Sequence, residues 1–418
     1  MSHTPAFGLL GRTLGHSYSP EIHAALGNPV YTLFEKEPHQ LESFLADPEL
    51  RGINITIPYK QDVMPYCTRL SDTAKKIGCV NTMVRRPDGW FGHNTDYNGF
   101  VFLLKNAGID VAGKDVLILG DGATSGTIHT VVTDLGAAHT THVSRHNAPF
   151  YEDIADFYDT AQIIINATPV GMYPKSPRRL VDIRPFNHLE GVADVIYNPY
   201  RTQLLIDAEE MGIPYSDGLP MLVAQGVYAA ELFMNTQFPI ERIREMITAM
   251  RSAQENIILI GMPGVGKTTI GEALAKETGR PLLDCDAIFE ERYEHPSQYI
   301  KNHGEPAFRK KETEILNDVC KETGAIIATG GGVITRPENY ALLRQNGRIY
   351  WIQRPLESLD TADRILSTGG IGRLRELARV RYPLYEAFSQ AQCDCTDAMA
   401  AVRFIKEEFY EHFNHQRA

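Results

Sequence analysis

The stretch IILIGMPGVGKT, at residues 257–268, decides the fold of the second half of the chain. It matches G-x-x-x-x-G-K-[ST], follows a short apolar run typical of a buried parallel strand, and opens a helical pattern. Its glycines leave backbone N–H groups free to surround phosphate oxygens at a helix N-terminus. The pattern predicts a nucleotide-binding loop in an α/β domain with a parallel sheet, and it leaves the phosphoryl acceptor open. The residues predicted to bind the nucleotide are Gly261, Gly264, Val265, Gly266, Lys267, Thr268 and Thr269.

Two side chains of this loop have chemical roles. In loops of this kind the lysine reaches the β- and γ-phosphates, and the hydroxyl that follows it binds Mg²⁺. We therefore expect Lys267 to act as a catalytic charge and Thr268 to be a metal ligand.

Apolar runs with the length of buried strands lie on both sides of this loop and form two series. The first series comprises residues 116–120, 163–167 and 194–197, and the second comprises residues 257–261, 281–284, 325–330 and 348–352. Residues 240–254, between the series, have helical spacing without Gly or Pro. Two strand–helix series predict two separate α/β sheets, joined near residue 254 by a short and fairly stiff boundary.

A second glycine turn, GDGATSG at residues 120–126, follows the first strand of the first series. Gly120 allows a tight turn, and the bare backbone at Gly122 lets a pyrophosphate approach the helix N-terminus. A lone G-x-G is also typical of an ordinary strand-to-helix turn. However, the next strand ends in Ser144 and Arg145, where an enzyme for NAD would carry Asp or Glu, and arginine suits the 2′-phosphate of NADP. Asp121 argues the other way, since a carboxylate that faced the pyrophosphate would weaken binding.

Polar clusters in the first 100 residues exceed what a plain hydrophobic core needs. They are HSYSPEIH at residues 16–23, GINITIPYK at 52–60, GCVNT at 78–82 and GHNTDYNG at 92–99. Taken singly, Ser17 and Ser19 are typical of a helix N-cap, and Lys60 is typical of a solvated surface amine. Together with the glycine turn, they indicate a binding site.

Composition limits the class of protein. The 418 residues are 43% hydrophobic and 22% charged, as in soluble globular proteins of two to three domains. The formal net charge of −11 argues against nucleic-acid or membrane-surface partners. No apolar run reaches the ~18 residues of a membrane span, and the first residues lack the layout of a signal peptide. Six scattered cysteines predict no disulfide framework and a cytoplasmic location; the Cys393–Cys395 spacing is more typical of chance than of a metal or redox site.

Residues 5–250 closely resemble shikimate dehydrogenase. The resemblance rests on ordered motifs: S-x-S-P at 17–20, N-x-T-x-P-x-K at 54–60, G-x-x-N-T at 78–82, N-T-D-x-x-G at 94–99, N-A-T-x-x-G-M at 166–172, D-x-x-Y-x-P at 194–199 and G-x-x-M-L-x-x-Q-G at 218–226. It implies that Lys60 and Asp96 are the catalytic pair. The residues that it implies for the substrate are Ser17, Ser19, Asn54, Thr56, Asn81, Tyr197 and Gln225. With the glycine turn, the residues expected to bind NADP are Gly120, Gly122, Ala123, Thr124, Ser125, Ser144, Arg145, Asn166, Ala167, Thr168 and Gly218.

The residue types at this site suit the implied chemistry. Hydride delivery to the C3 ketone of 3-dehydroshikimate generates an alkoxide, and an ammonium at Lys60 can supply a proton and stabilise the charge. Burial would lower the pKa of Lys60 and Asp96 would raise it, so the sequence leaves the net direction open. Ala123 and Pro169 replace a glycine and a serine that are usual in the family, and both lie on the cofactor side.

Residues 255–418 resemble shikimate kinase. The motifs are D-x-D at 284–286, F-R-x-x-E at 308–312, the TGGG run at 329–332 and VRYPLY at 380–385. The resemblance implies that Asp284 holds the metal through water and that Asp286 orients the attacking hydroxyl. It also implies a substrate site in which two guanidinium groups fork onto one carboxylate, formed by Arg309, Gly330, Gly331, Gly332 and Arg381.

The nucleotide lid is expected to carry Arg364. Ile365 follows it where the family has proline, and losing the fixed φ of proline should leave the lid less ordered in advance. A surface helix charge is the other interpretation of Arg364.

The two halves would recognise one acid, which the first would make and the second would consume. We expect an α/β chain in which a two-domain dehydrogenase precedes a P-loop kinase with a parallel sheet at residues 255–418. The dehydrogenase would combine a substrate domain, residues 1–102 and 225–250, with a Rossmann NADP domain, residues 103–224.

The predicted function is reduction of 3-dehydroshikimate with NADPH, followed by phosphorylation of shikimate with ATP and Mg²⁺, on the route to chorismate and aromatic amino acids. Small molecules are the expected partners, and the oligomeric state is open. Two alternatives remain for the first half: it is a quinate or shikimate dehydrogenase that uses NAD, or it binds shikimate only as a sensor.

Overall fold

The computed structural model describes residues 6–15, 17–28, 30–359, 370–394 and 397–415. The chain forms two compact units. The first unit comprises Met1–Val170, Arg179–Tyr200 and Asp207–Ile247, and the second comprises Gly171–Arg178, Arg201–Ile206 and Thr248–Ala418. Two short stretches from the first half of the sequence therefore belong to the second unit, which a single boundary near residue 254 does not anticipate.

The first unit contains a mixed sheet built from short strands. These are β1 (Phe7–Gly11), β2 (Tyr31–Glu35), β3 (Gly52–Ile55), β4 (Cys67–Leu70), β5 (Thr82–Arg86) and β6 (Gly89–His93), in the order β2-β1-β3-β5-β6-β4. Strand β3 runs antiparallel to β5, and this register sets Asn54 opposite Thr82. The polar side chains of Asn54 and Thr82 are therefore neighbours across the two strands.

The first unit also contains an all-parallel sheet. Its strands are β7 (Asp115–Leu119), β8 (His139–Val143), β9 (Ile163–Asn166), β10 (Gly191–Asp194) and β11 (Tyr215–Ser216), in the order β11-β10-β9-β7-β8. The strand order reverses between β9 and β7, and parallel sheets bind ligands beyond the carboxyl ends of the strands at such a point. The predicted glycine turn at residues 120–126 follows β7 and lies there.

One predicted strand was wrong. Residues 194–197 were expected to form a strand, but β10 ends at Asp194. The Asp194 carboxylate accepts the backbone N–H of Ile196 at 3.0 Å, and a local side-chain bond of this kind turns the chain out of the sheet.

Helices connect these strands, and the predicted helix at residues 240–254 is confirmed. Up to that point the helices are α1 (Ser19–Ala25), α2 (Leu41–Leu45), α3 (Asp72–Ile77), α4 (Thr95–Asn106), α5 (Ala123–Asp134), α6 (Gln203–Glu210), α7 (Leu219–Met234) and α8 (Ile240–Gln254). Helices α4 and α7 approach closely because Gly99 has no Cβ, which would lie 2.8 Å from the carbonyl oxygen of Met221. This packing brings the start of α4 and the middle of α7 to the same cleft.

The second unit is built on another parallel sheet with a continuous apolar core. Its strands are β12 (Asn256–Ile260), β13 (Leu282–Asp284), β14 (Ile326–Ala328), β15 (Gly347–Gln353) and β16 (Ala391–Asp394), in the order β13-β14-β12-β15-β16. Its helices are α9 (Lys267–Thr278), α10 (Cys285–Arg292), α11 (Pro296–His303), α12 (Glu305–Val319), α13 (Glu338–Arg344), α14 (Gly370–Phe388) and α15 (Ala398–His415). The four predicted strands of this series are confirmed to within two residues, with the glycine-rich loop at the carboxyl end of the central strand.

The early stretches that belong to the second unit are held by buried polar contacts. Arg201 Nη1 lies 3.0 Å from Glu255 Oε1, and His412 Nε2 lies 3.2 Å from Glu255 Oε2. The Tyr173 hydroxyl donates to the carbonyl oxygen of Cys320 at 3.1 Å, and the backbone N–H of Arg201 donates to the carbonyl oxygen of Gln345 at 3.0 Å. The Glu255 side chain is only 1% exposed, so its charge depends on these partners.

Candidate active sites

A cleft of about 270 Å³ in the first unit collects the residues of the four N-terminal polar clusters. It is lined by Leu9, Ser17, Ser19, Asn54, Ile55, Thr56, Lys60, Asn81, Asp96, Thr124, Val195, Tyr197, Gly218, Met221, Leu222 and Gln225. All nine residues predicted as the catalytic pair or as substrate ligands line it. The apolar residues of this lining, such as Met221 and Leu222, were not predicted.

An amine and a carboxylate face each other in this cleft. Lys60 Nζ lies 2.6 Å from Asp96 Oδ2, and the two side chains are 19% and 15% exposed. Burial lowers the pKa of Lys60, but the charge and hydrogen bond of Asp96 outweigh burial, so that the pKa lies above its usual value. Lys60 is therefore an ammonium at neutral pH, which answers the question that the sequence left open.

The position of Asp96 follows from the start of helix α4. Asn94 is the N-cap residue, and its side chain accepts the N–H of Tyr97 at 3.3 Å. Asp96 lies in the first turn, where the helix dipole favours a negative charge. The cap and the dipole together hold the carboxylate at the mouth of the cleft.

Buried amides and hydroxyls form the floor of the cleft. Asn54 Nδ2 donates to Thr82 Oγ1 at 3.0 Å, and Thr82 Oγ1 donates to Asn81 Oδ1 at 3.0 Å. Asn81 Nδ2 in turn donates to Thr95 Oγ1 at 3.0 Å. Two of the predicted substrate residues, Asn54 and Asn81, thus belong to one hydrogen-bonded set.

The opposite side of the cleft holds the predicted aromatic and amide ligands. Tyr197 packs edge-on against Tyr18, with ring centroids 5.8 Å apart, and burial raises the pKa of its hydroxyl. Gln225 Nε2 donates to the carbonyl oxygen of Leu222 at 2.8 Å. Gly218 must lack a side chain because a Cβ there would collide with the backbone of Val195. Its backbone therefore lies bare beside the cleft.

The glycine turn after β7 is shaped by its neighbours in the parallel sheet. Gly120 has φ +113°, and a Cβ on it would lie 2.9 Å from the Thr168 side chain. The Ser125 hydroxyl donates to the Gly120 carbonyl oxygen at 2.7 Å, and a Cβ on Gly122 would meet nothing within 4 Å. The turn therefore leaves open space in front of the N-terminus of α5, which begins at Ala123.

The structure brings the other predicted cofactor residues to the same sheet edge. Asn166 ends β9, and its Oδ1 accepts the N–H and hydroxyl of Thr168 at 3.0 and 2.7 Å. Ser144 and Arg145 directly follow β8, with Arg145 exposed. Pro169, which replaces the serine usual in the family, is exposed in the same loop as Asn166.

Asp121 is engaged by the loop that carries Arg145. Its Oδ2 accepts the side-chain N–H of Asn147 at 3.1 Å and lies 3.4 Å from His146 Nδ1. Hydrogen bonding from Ser144 is the main reason that the pKa of this carboxyl is lowered, with a further contribution from His146. Asp121 therefore keeps its negative charge beside Ser144 and Arg145.

In the second unit the phosphate loop encloses its own lysine. Gly261, Gly264 and Gly266 all have positive φ, which a side chain would strain. Lys267 Nζ donates to the carbonyl oxygens of Gly261 and Met262 at 2.9 and 3.1 Å, and the residue is 7% exposed. The ammonium is thus fixed in the centre of the loop.

Two aspartates lie at the end of β13 beside this loop. Thr268 Oγ1 donates to Asp284 Oδ2 at 2.6 Å, while Asp284 Oδ1 caps helix α10 by accepting the N–H of Asp286 at 2.9 Å. The predicted metal ligands Thr268 and Asp284 are therefore adjacent. No group of three or more His, Cys, Asp or Glu side chains suited to a metal was found in the described part of the chain.

Two buried arginines converge on the TGGG run. A Cβ at Gly332 would collide with the guanidinium of Arg309, and Arg381 Nη1 donates to the carbonyl oxygen of Gly331 at 3.1 Å. Arg309 and Arg381 are 7% and 4% exposed. The predicted substrate residues of the second unit thus lie together.

Glu312 is a member of this cluster that the sequence argument did not select. It pairs with Arg309 at 2.7 Å, and a Cβ at Gly330 would collide with its Oε1. Burial raises its pKa although Arg309 opposes the shift. The signal was present, because Glu312 is the last residue of the F-R-x-x-E motif. Arg364 and Ile365 lie outside the described residues, as does Cys395.

Comparisons with known proteins agree with this geometry. Residues 9–83 match the family described as shikimate dehydrogenase substrate binding domain. The shikimate dehydrogenase (NADP(+)) of Clostridium beijerinckii is 36% identical over 251 residues, which cover 55% of this chain and 92% of that protein. The chain belongs to the shikimate dehydrogenase family. Residues 263–412 match the family described as shikimate kinase, so a kinase domain follows in the same chain.

Solved structures resemble the dehydrogenase half. A chorismate mutase/shikimate 5-dehydrogenase fusion protein from Clostridium acetobutylicum has a TM-score of 0.56 and 31% identity, covering 58% of this chain and 96% of that one. Quinate dehydrogenase from Corynebacterium glutamicum in complex with NAD has a TM-score of 0.53 and 27% identity, covering 58% and 98%. The expected α/β class and both expected families are confirmed. The chain therefore has a dehydrogenase activity and a kinase activity, and it has a role in the shikimate pathway.

In the part of the chain that the structure describes, no helix combines the length and apolar character needed to cross a bilayer.

Proposed function

We propose that the chain reduces 3-dehydroshikimate to shikimate with NADPH and then phosphorylates shikimate with ATP to shikimate 3-phosphate. The observation that supports this most is the cleft in which the Lys60 ammonium and Asp96 meet seven predicted polar ligands. The second unit adds a phosphate loop and two buried arginines. One acid with hydroxyl groups would suit both sites.

The glycine turn suits NADP. Open space at Gly122, the bare N–H groups of the first turn of α5 and the exposed Arg145 match a pyrophosphate and a 2′-phosphate. Ser125, Asn166, Thr168 and the other predicted residues of this edge would hold the dinucleotide. When bound, NADPH would supply the hydride.

Lys60 would manage the proton of the reduction. Its ammonium would donate from Nζ to the oxygen at C3 as negative charge develops there. Asp96 keeps Lys60 protonated before the reaction and orients Nζ through the 2.6 Å contact. In the reverse reaction the neutral amine at Nζ would accept the proton of the C3 hydroxyl as hydride leaves for NADP.

The remaining polar residues of the cleft would position the substrate. Ser17 and Ser19 offer hydroxyls to a carboxylate, while Asn54, Thr56 and Asn81 offer donors and acceptors to ring hydroxyls. Tyr197 and Gln225 would close the opposite side. Fixing the ring by several short polar contacts aligns C3 with Lys60, which is the entropic part of the catalysis.

The second unit suits ATP and Mg²⁺. Lys267 lies at the centre of the phosphate loop, and Thr268 and Asp284 would hold the metal. When bound, ATP would supply the phosphoryl group. Arg309 and Arg381 would bind the shikimate carboxylate, and Asp286 would accept the proton of the hydroxyl that is phosphorylated.

A coupled assay tests the whole proposal. Purified protein with 3-dehydroshikimate, NADPH, ATP and Mg²⁺ should yield shikimate 3-phosphate, while omission of ATP should stop the sequence at shikimate. Faster reduction with NADH would instead favour a quinate or shikimate dehydrogenase that uses NAD. Two observations support that alternative: the resemblance to a quinate dehydrogenase in complex with NAD, and the negative charge of Asp121 beside the glycine turn. No turnover with either cofactor, but binding of shikimate, would favour the sensor reading.

The boundaries and the location belong to the same proposal. We assign residues 1–102 and 225–250 to substrate binding, 103–224 to NADP and 255–418 to the kinase. A cytoplasmic location stays a prediction from the sequence.

A further inference from the structure

A tyrosine behind the substrate cleft contacts one of its predicted ligands. Tyr31 is 8% exposed and does not line the cleft, yet its hydroxyl donates to Asn54 Oδ1 at 2.7 Å. Burial raises the pKa of Tyr31, although Ser19 partly opposes the shift, so the hydroxyl keeps its proton. None of the sequence motifs that predicted the cleft includes Tyr31.

The orientation of the Asn54 amide is fixed from two sides. Its Nδ2 faces the backbone carbonyl oxygen of Asn81 at 3.4 Å and Thr82 Oγ1 at 3.0 Å. A carbonyl oxygen can only accept, so a flipped amide would set two oxygens against each other. Nδ2 must therefore point to β5, and Oδ1 must point to Tyr31.

Hydrogen bonds connect Tyr31 to helix α4, and their donors are aligned in one direction as far as Asn81, to whose Oδ1 the Thr95 hydroxyl also donates at 3.2 Å. Asn54 donates to Thr82, Thr82 donates to Asn81, and Asn81 donates to Thr95, each at 3.0 Å. Asn81 Oδ1 also accepts the backbone N–H of Thr95 at 2.7 Å, one residue before Asp96. Donors aligned in one sense polarise one another, so the loss of the first donor weakens those that follow.

The Tyr31 ring is held independently of its hydroxyl. It stacks on His23 with centroids 4.0 Å apart and an interplanar angle of 14°, and His23 stacks in turn on Phe233 at 5.6 Å. His23 is 1% exposed, and burial lowers its pKa to about 4 although a hydrogen bond with the Asn54 side chain opposes the shift, so it is neutral at physiological pH. Removing only the hydroxyl of Tyr31 should therefore leave the ring in place.

We propose that Tyr31 is a positioning residue that sets the Asn54 amide for contact with a substrate hydroxyl in the cleft. This inference rests on the proposed function, because it needs shikimate or 3-dehydroshikimate in the cleft. Since Asn54 would contact a non-reacting hydroxyl in ground state and transition state alike, its misorientation should raise KM more than it lowers kcat.

The test uses the full chain and the isosteric variant Tyr31→Phe. We expect its KM for 3-dehydroshikimate and its Kd for shikimate, measured by calorimetry, to rise about tenfold with kcat within about threefold. Tyr59→Phe is the matched control, because Tyr59 is buried in the same unit and donates its hydroxyl to the backbone of Lys36. We expect its Kd and KM to stay within about twofold of the wild type.

A double-mutant cycle separates positioning from a structural role. If Tyr31 acts through Asn54, Tyr31→Phe should have little further effect on Kd in an Asn54→Ala background. The inference would be overturned if Tyr31→Phe raised Kd by the same factor in the wild type and in Asn54→Ala. It would also be overturned if Tyr31→Phe lowered Tm but left Kd unchanged. Wild-type protein that binds no shikimate would overturn the proposed function as well, whereas wild-type binding with an unaffected Tyr31→Phe would refute only the role of Tyr31.

Discussion

Replacing Arg201 by methionine would remove the partner of a carboxylate that is almost fully buried. Arg201 and Glu255 are 7% and 1% exposed, and their charged atoms are 3.0 Å apart. Breaking a buried pair on one side costs about 3–5 kcal/mol because the remaining charge loses its partner. His412, at 3.2 Å, stays beside Glu255, so we expect the lower end, about 3 kcal/mol.

Thermal unfolding measures this loss. For a unit of this size, a loss of about 3 kcal/mol corresponds to a fall in Tm of about 6–12 °C. ATP and Mg²⁺ should raise the Tm of the second unit, and this shift identifies which unfolding transition belongs to it. Arg292→Met is the matched control, because Arg292 pairs with Asp318 at 2.6 Å in the same unit but both side chains are about half exposed. We expect this control to change stability by about 0.5 kcal/mol or less.

The dependence on pH gives a second measurement of the same pair. Burial raises the pKa of Glu255, but the charge of Arg201 and the hydrogen bond and charge of His412 outweigh it, so that the folded-state pKa lies below the ordinary value of about 4.3. The pair therefore stabilises fully above that pH, and its contribution is lost as the pH falls. The double variant Arg201→Met/Glu255→Leu should recover most of the loss and unfold less steeply in acid. A Tm for Arg201→Met equal to that of Arg292→Met would refute the reasoning.

Four further predictions concern the two sites. Lys60→Ala should lower kcat for reduction by roughly 10²–10⁴-fold while calorimetry shows little change in shikimate binding; near wild-type turnover would remove Lys60 from the mechanism. Asp96→Asn should move the alkaline limb of the kcat/KM profile for reduction to lower pH, because Asp96 is what raises the pKa of Lys60 against burial; an unmoved limb would contradict the pairing. Asp121→Asn removes a charge beside Ser144 and should lower the Kd of NADPH severalfold more than that of NADH in fluorescence titrations, whereas equal changes would mean that Asp121 does not sense the 2′-phosphate. Arg309→Lys keeps a charge next to a buried glutamate but loses the fork, so Kd for shikimate should rise about tenfold at constant Kd for ATP; a weaker ATP affinity would place Arg309 on the nucleotide side.

Motifs at strand ends predicted much of both sites. Lys60 and Asp96 are far apart in sequence but adjacent in space, because one follows β3 and the other starts the helix after β6. In the second unit, Thr268 and Asp284 meet for a similar reason, since parallel strands carry their loops to one edge.

The parts that sequence could not supply depend on register and burial. Thr82 faces Asn54 only through the antiparallel pairing of β3 with β5, which no local pattern encodes. Tyr31 reads as an ordinary strand residue, and its hydroxyl matters only because β2 brings it to Asn54. The end of β10 at Asp194 was missed because the apolar run continues beyond the residue whose side chain turns the backbone.

The composition of the second unit has a consequence for biosynthesis. Arg201 leaves the ribosome early, whereas His412 is synthesised about 200 residues later, and both surround Glu255. His412 comes 157 residues after Glu255, so at about 5–20 residues per second the nascent carboxylate waits about 8–30 s for its last neighbour. The second unit can therefore complete the surroundings of Glu255 only after α15 has been translated.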